Sequence, residues 1–264
     1  MFNVAVLIPT YKPGDYLRRC LQSIDSQTLS QDKYKVYIAL NGPKENFEEV
    51  VFSALKSIHF EYEFFYLEKA GVSNARNFLI TRSIEDYIVF VDDDDVLSSN
   101  YLTDLLSVTN SDFMGICNTK SFEVSVEAAK ENFMSQSYVN LKSVEVSKFK
   151  SRKYYSSPCA KMLHRKMIGK YRFDERVKHG EDALFMATIS KNIAGVQKVS
   201  SDACYYVYER PNSASRKKPN RLEELKRIQY LTVKYIKFFF RPGYSKLFIA
   251  TRVAATFIYV RRVF

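Results

Sequence analysis

The first hundred residues alternate between continuous apolar runs and amphipathic stretches. Runs at residues 4–8, 34–40, 61–67 and 87–91 have strand length and are bounded by polar or turn residues, which predicts buried strands. Between them, Leu17, Cys20, Leu21 and Ile24 recur at helical spacing, as do Phe47, Val50, Val51 and Leu55, and residues 73–83 read as a third helix. Asn41-Gly42-Pro43 is a strong turn signal closing the second strand. This βαβαβαβ order predicts a parallel sheet with helices on both faces. Polar residues follow each strand: Thr10-Tyr11-Lys12, Asn41-Gly42, Lys69-Ala70-Gly71 and Asp92-Asp93-Asp94-Asp95. Ligands of open α/β sheets gather at the carboxyl ends of the strands, so one ligand lying there could touch all four loops.

Beyond residue 111 the alternation weakens. Strands are expected at 112–116, 159–163 and 203–208, and a helix at 181–190 carrying Leu184, Phe185 and Ile189. Residues 119–150 mix short helical and extended signals and read as a surface excursion. From residue 221 to 264 two amphipathic helices are expected, broken at Arg241-Pro242-Gly243.

Charge divides the chain in a way hydropathy does not. Residues 1–210 carry 27 Lys and Arg against 27 Asp and Glu, whereas residues 211–264 carry 13 against 2. A basic tail suits an anionic lipid surface, a phosphorylated ligand or nucleic acid. No nucleic-acid module is recognisable, and the tail's aromatics lie among aliphatics rather than as a stacking platform, so no nucleic-acid partner is expected. Cys20, Cys117, Cys159 and Cys204 are scattered without a C-x-x-C pair, which fits a reducing compartment and excludes a zinc ribbon. The N-terminus lacks a signal-peptide pattern, and nowhere do eighteen uncharged apolar residues run together.

The run of four aspartates from Asp92 to Asp95 closes an apolar strand with no basic residue among them. Adjacent carboxylates repel, and oxygen ligands suit the hard cations Mg²⁺ and Mn²⁺, so the run predicts a divalent-metal site at a strand end. The bland alternative is an acidic turn leading into a helix capped by Ser98 or Ser99.

"VAVLIPTYK", "GVSNARNFLI", "DYIVFVDDDDVL", "FDERVKHGEDALFM" and "YYVYERPNSASRK" follow one another in order. Together they resemble the family-two glycosyltransferases, inverting enzymes with the GT-A fold that use nucleotide-sugar donors. The resemblance spans about residues 2–218, so a 1–218 GT-A domain with a mixed α/β sheet and a 219–264 basic helical extension are expected. It implies transfer of a hexose or N-acetylhexosamine, with UDP the expected nucleotide, to a glycan or lipid-diphosphate-linked acceptor. It also implies cytoplasmic work at the inner membrane face, with the basic tail on anionic lipid. Oligomeric state is left open.

Roles follow position by position. Pro9, Thr10 and Tyr11 stand where the family receives the nucleobase, and Tyr11 could stack on it. Asn41 stands where the family most often has Asp. An amide can still pair with a base edge, although a turn residue before Gly42 would look the same. Arg76 suits a diphosphate or a carboxylate of the metal loop. Asp92 and Asp94 take the first and third positions of the family's D-x-D, with Asp94 the expected direct ligand of Mn²⁺ or Mg²⁺ and Asp92 or Asp93 on the ribose or a metal-bound water. Asp182 is the expected general base, with Glu181 supporting the acceptor, although a helix N-terminus alone also favours two carboxylates. Lys161 and the run from Arg210 to Lys218, with Ser213, Ser215, Arg216 and Lys217, are candidates for a mobile basic loop over the diphosphate. A sugar-1-phosphate nucleotidyltransferase would want a Gly-rich basic loop after the first strand, which "PTYKPGDY" is not. A catalytically dead nucleotide-sugar or polysaccharide binder would be expected to lose the acidic motifs, which are intact.

Overall fold

The computed structural model describes residues 3–210 and 221–263. Strands β1 (Val4–Thr10), β2 (Tyr34–Asn41), β3 (Tyr62–Leu67) and β4 (Tyr87–Phe90) are all parallel, with α1 (Tyr16–Asp25), α2 (Phe47–Leu55) and α3 (Val72–Arg82) in the crossovers. Every residue of β1 is buried, as its unbroken apolar run demands. On α1 the buried residues are Leu17, Cys20, Leu21 and Ile24, the four at helical spacing.

The spatial order is β3-β2-β1-β4, so the chain reverses its winding direction between β1 and β4. A crevice opens at such a switch point, outside the carboxyl ends of the two strands. Here the switch point is flanked by Thr10-Tyr11 and the aspartate run. Beyond β4 the sheet becomes mixed. β10 (Lys161–His164) runs antiparallel to β4 and to β6 (Phe113–Ile116), then come β11 (Gly195–Lys198), parallel to β6, and β9 (Val144–Glu145) at the edge.

Residues 119–150 are more than a surface excursion. β7 (Asn118–Phe122) pairs with β12 (Cys204–Tyr208) and β8 (Lys130–Glu131), and with β5 (Val96–Leu97) these make a second, four-stranded sheet. Within that stretch α5 (Phe133–Asn140) sends Tyr138 into the core. The aspartate run leads into β5, and α4 (Tyr101–Val108) starts later. After β10 come the short α6 (Arg165–Ile168) and α7 (Glu181–Ile189).

The two C-terminal helices are α8 (Arg221–Phe239) and α9 (Lys246–Val263). They are expected as an extension of the domain, yet Leu231, Tyr235, Phe238, Phe248 and Ile249 belong to the same core as the sheet. Among the described residues no helix is long and apolar enough to cross a membrane.

Candidate active site

At the carboxyl end of β1, Pro9 is buried and Thr10 donates its hydroxyl proton to the Asp93 carboxylate. Tyr11, half exposed, lays its ring beside Gly42. A Cβ at residue 42 would come within 2.7 Å of that ring, and φ is +94°, so glycine is required twice over. Asn41 departs from expectation. Its amide is buried, donating to the Thr10 carbonyl at 2.7 Å and accepting the Gly71 N–H at 2.8 Å. It ties the ends of β1 and β2 to the start of α3 rather than offering an edge to a base.

The aspartates form a tight turn in which the Asp95 N–H reaches the Asp92 carbonyl at 3.1 Å. Each side chain has a different environment. Asp92 accepts from Arg76 at 2.8 Å, and Asp94 pairs with Arg210 at 2.8 Å. Asp95 is buried and accepts the Tyr208 N–H at 2.8 Å, fixing the turn to the second sheet. Burial, with repulsion from Asp94 and Asp92, pushes the Asp93 carboxyl up to about 7 despite the Thr10 bond. Burial and Asp92 also raise Asp94 and Asp95. A cation among such groups favours their ionised form.

Arg76 sits in the first turns of α3, 3% exposed, with its guanidinium between two elements. One nitrogen donates to Asp182 Oδ1 at 2.6 Å and the other to Asp92 Oδ1 at 2.8 Å. Phe173 covers it, ring centroid 5.4 Å away. The planar fork therefore fixes Asp182 relative to the aspartate turn. Glu181 and Asp182 open α7 behind Gly180, whose φ of +83° turns the chain into the helix. Burial and the adjoining Asp182 raise Glu181 to about 7. Burial also raises Asp182, although Arg76 opposes this.

One of the expected basic residues falls elsewhere. Lys161 lies in β10, within the strand expected at 159–163, and not in a mobile loop. It is 1% exposed and its ammonium is bonded to the carbonyls of Ser157 at 2.6 Å and Cys159 at 2.5 Å. Burial lowers it to about 8. A lysine so enclosed props the chain before β10 and cannot close over a ligand. The strand begins only at Lys161 because Ala160 adopts φ +60°. Arg216, with Ser213, Ser215 and Lys217, lies outside the described residues.

Sequence reasoning missed Arg19, whose guanidinium lies over the rings of Phe122 and Tyr208 at 4.7 and 4.5 Å. Its only sequence signal was its place on α1 beside Arg18, where a solvated surface residue is the default.

Among the described residues no three His, Cys, Asp or Glu side chains converge as a complete metal cage. The donor set nevertheless fits Mg²⁺ or Mn²⁺: the carboxylates are hard ligands, and the turn's buried charge is only partly offset by Arg76 and Arg210. Mg²⁺ in particular commonly takes only one or two carboxylates and completes its shell with water and substrate phosphates.

Residues 5–172 match the model of Glycosyl transferase family 2. Over 212 residues the chain is 20% identical to the poly(ribitol-phosphate) beta-N-acetylglucosaminyltransferase TarS of Staphylococcus aureus, which covers 80% of this chain and 36% of the relative. The minor teichoic acid biosynthesis protein GgaB of Bacillus subtilis is 21% identical over 184 residues, 69% of this chain and 20% of that protein. The chain thus spans about a third or less of the length of these two relatives. Among solved structures, a fragment of S. aureus TarS in complex with UDP-GlcNAc superposes with a TM-score of 0.79 at 18% identity, over 97% of this chain and 72% of that one. A mannosyltransferase of Pyrobaculum calidifontis in complex with GDP-Man and Mn²⁺ gives 0.61 at 12% identity, over 98% and 69%. At these identities the superpositions establish a shared GT-A fold.

Proposed function

This chain belongs to glycosyl transferase family 2, and from that premise we propose that it moves a hexose or N-acetylhexosamine from a nucleoside diphosphate sugar to an acceptor hydroxyl with inversion. The observation that carries this reading is the single buried guanidinium of Arg76 bonded to both Asp182 and Asp92. It sets a carboxylate able to take a proton at a fixed distance from the acidic turn where a diphosphate and its cation would lie.

Asp182 Oδ1 is held by Arg76, which leaves Oδ2 to accept the acceptor hydroxyl proton. The bond from the acceptor oxygen to the anomeric carbon forms as the bond to the diphosphate breaks, and the electron pair leaves on the nucleoside diphosphate. Asp94, with Asp92, is the pair of side chains to hold Mn²⁺ or Mg²⁺. When bound, the cation neutralises the charge growing on the leaving diphosphate. Tyr11, exposed at the end of β1, offers the face on which a base can stack. Thr10 holds Asp93 in place, and Glu181 stands beside the base toward the acceptor.

The UDP-GlcNAc held by the TarS neighbour favours UDP-N-acetylglucosamine as donor. The acceptor is a hydroxyl of a polysaccharide or lipid-linked precursor, and the poly(ribitol-phosphate) named for TarS favours a phosphodiester-bearing glycan. A basic, partly apolar outer face of α8 and α9 suits work at an anionic membrane surface. Screening a panel of nucleotide sugars with Mn²⁺ or Mg²⁺ and reading nucleoside diphosphate release tests the whole assignment. No release from any donor, with or without candidate glycans, would overturn it.

A further inference from the structure

The helix α8 packs against the segment that delivers Glu181 and Asp182. Residues 173–180 form an arch between α3 and α8. On the α3 side, Asn77 exchanges two hydrogen bonds with the Phe173 backbone, at 2.7 and 3.0 Å, and Lys69 pairs with Glu175 at 2.5 Å. On the α8 side, the Tyr230 hydroxyl donates to Asp174 Oδ2 at 2.5 Å, and Lys234 lies 3.6 Å from the same oxygen. Arg227 donates to the His179 carbonyl at 3.1 Å, one residue before Gly180. Its remaining nitrogens grip the buried carboxylate of Glu224 one helical turn away, which fixes the guanidinium. A Cβ at residue 180 would come within 3.2 Å of Arg227 Nη1 and 3.5 Å of Leu231 Cδ1, so helix and hinge are in close contact. The arch's other end, Phe173, covers Arg76.

We propose that Arg227 and Tyr230 are positioning residues, which hold the arch so that Asp182 stays on Arg76 and faces the acceptor. On this view α8 is part of the catalytic unit rather than an appended extension. Neither residue touches substrate; each acts through the backbone leading into α7. Misplacing a reacting group by about 1 Å costs on the order of a hundredfold in rate, so a small slackening of the arch is felt in turnover. The inference rests on Asp182 as base, and its test is built to separate the two.

The test compares Arg227→Ala and Tyr230→Phe with Arg165→Ala in the full chain. Arg165 bonds to the Glu85 and Ile80 carbonyls and to the Ser83 hydroxyl near the start of β4, away from the crevice, and reports general destabilisation. Amide hydrogen exchange over residues 174–182 should quicken in the first two variants and not in the control. Below the melting range, kcat should fall about 10- to 100-fold in Arg227→Ala and severalfold in Tyr230→Phe, with donor affinity measured by direct binding within about twofold of wild type. Arg165→Ala should lose melting temperature and keep kcat. Unchanged exchange over the arch in both α8 variants overturns the proposal whether or not the protein transfers sugar. Quickened exchange with unchanged kcat overturns it too. If Arg227→Ala does not fold, Tyr230→Phe, which removes one hydroxyl, decides alone. A wild-type chain silent with every donor sinks the enzymatic reading instead, and exchange alone then decides whether α8 holds the arch.

Discussion

A guanidinium shared by Asp182 and Asp92 makes the two halves of the site testable separately. Asp182→Asn keeps the shape but cannot take a proton, so kcat should fall by about 10²–10⁴ while donor binding stays near normal. Parallel loss of donor affinity would move Asp182 into the donor site, and substantial remaining turnover would point to Glu181. The pH profile carries a second check. Glu181 stands at about 7 against an ordinary 4.5, and Asp182 is raised with it by burial. A base must be ionised and burial raises Asp182, so transfer should fall on the acid side at a pH above the ordinary carboxylate range and level off at higher pH. Stability has the opposite sign: the folded state binds more protons between about 4.5 and 7, so it loses stability as pH rises through that window. An acid limb near 4 in the rate profile would contradict the buried pair. Asp94→Ala should lose nearly all turnover and most donor binding, and full activity in excess chelator would sink the metal reading. That Arg76 would meet a carboxylate of the aspartate run was legible, because order along the chain marks both, and the structure brings Asp182 to the same guanidinium. Of the two readings open for Asn41, the structure favours the local one, because sequence does not tell which way an amide turns and here backbone groups at Thr10 and Gly71 bond to its two ends. Lys161 was expected within a strand and also offered as a cation over the diphosphate, and sequence does not show that neighbouring carbonyls take its ammonium.

Among the elements, β1, β2 and β4 were legible because each is a long or wholly apolar run that the sheet buries. β5, β8 and β9 have two residues each, too few to show any period; with β5 and β8 unseen, the second sheet was invisible even though β12 itself was expected. The tail helices were placed correctly along the chain, but which face turned inward was not legible. Phe238 stacks on Tyr244 at 4.8 Å, and Phe248 meets Tyr155 at 5.0 Å. Arg252, one of the tail's basic residues, is buried and donates to the Ser156 hydroxyl and the Arg152 carbonyl. Deleting residues 219–264 therefore uncovers core as well as charge. The truncated protein should be insoluble or strongly destabilised, since each fully buried large apolar side chain contributes about 1.5–3 kcal/mol. A cooperative, soluble 1–218 fragment of near-native melting temperature would show that the helices are a dispensable appendage.

At the scale of the whole molecule, the charge excess and the exposed apolar residues coincide on the outer side of the tail. Leu225, Val233, Ile236, Phe240 and Leu247 are each more than 40% exposed, although Phe238 and Phe248 beside them are buried. On α8, positions 225, 233 and 236 fall along one helical stripe, which Phe240 continues just past the helix end, and Phe240 and Leu247 flank the turn into α9. Exposed Lys226, Lys237, Arg241 and Lys246 border them, and among the described residues none of the four is ion-paired. An apolar stripe edged by cations lies in a bilayer interface rather than crossing it. Each basic residue near an anionic surface contributes about 1 kcal/mol, so four contribute about 4 kcal/mol at low salt, and this fades within a Debye length. The protein should therefore sediment with anionic liposomes, be released by high salt, and bind neutral liposomes far less. Phe240→Ser with Leu247→Ser should weaken binding at every salt concentration, because it removes the salt-independent part. Lys226→Glu with Lys237→Glu should abolish the preference for anionic lipid and leave the melting temperature nearly unchanged, since both side chains are exposed. Equal sedimentation with neutral and anionic vesicles, or with neither, would mean that the tail's charges are merely solvated and that its aromatics serve only the core.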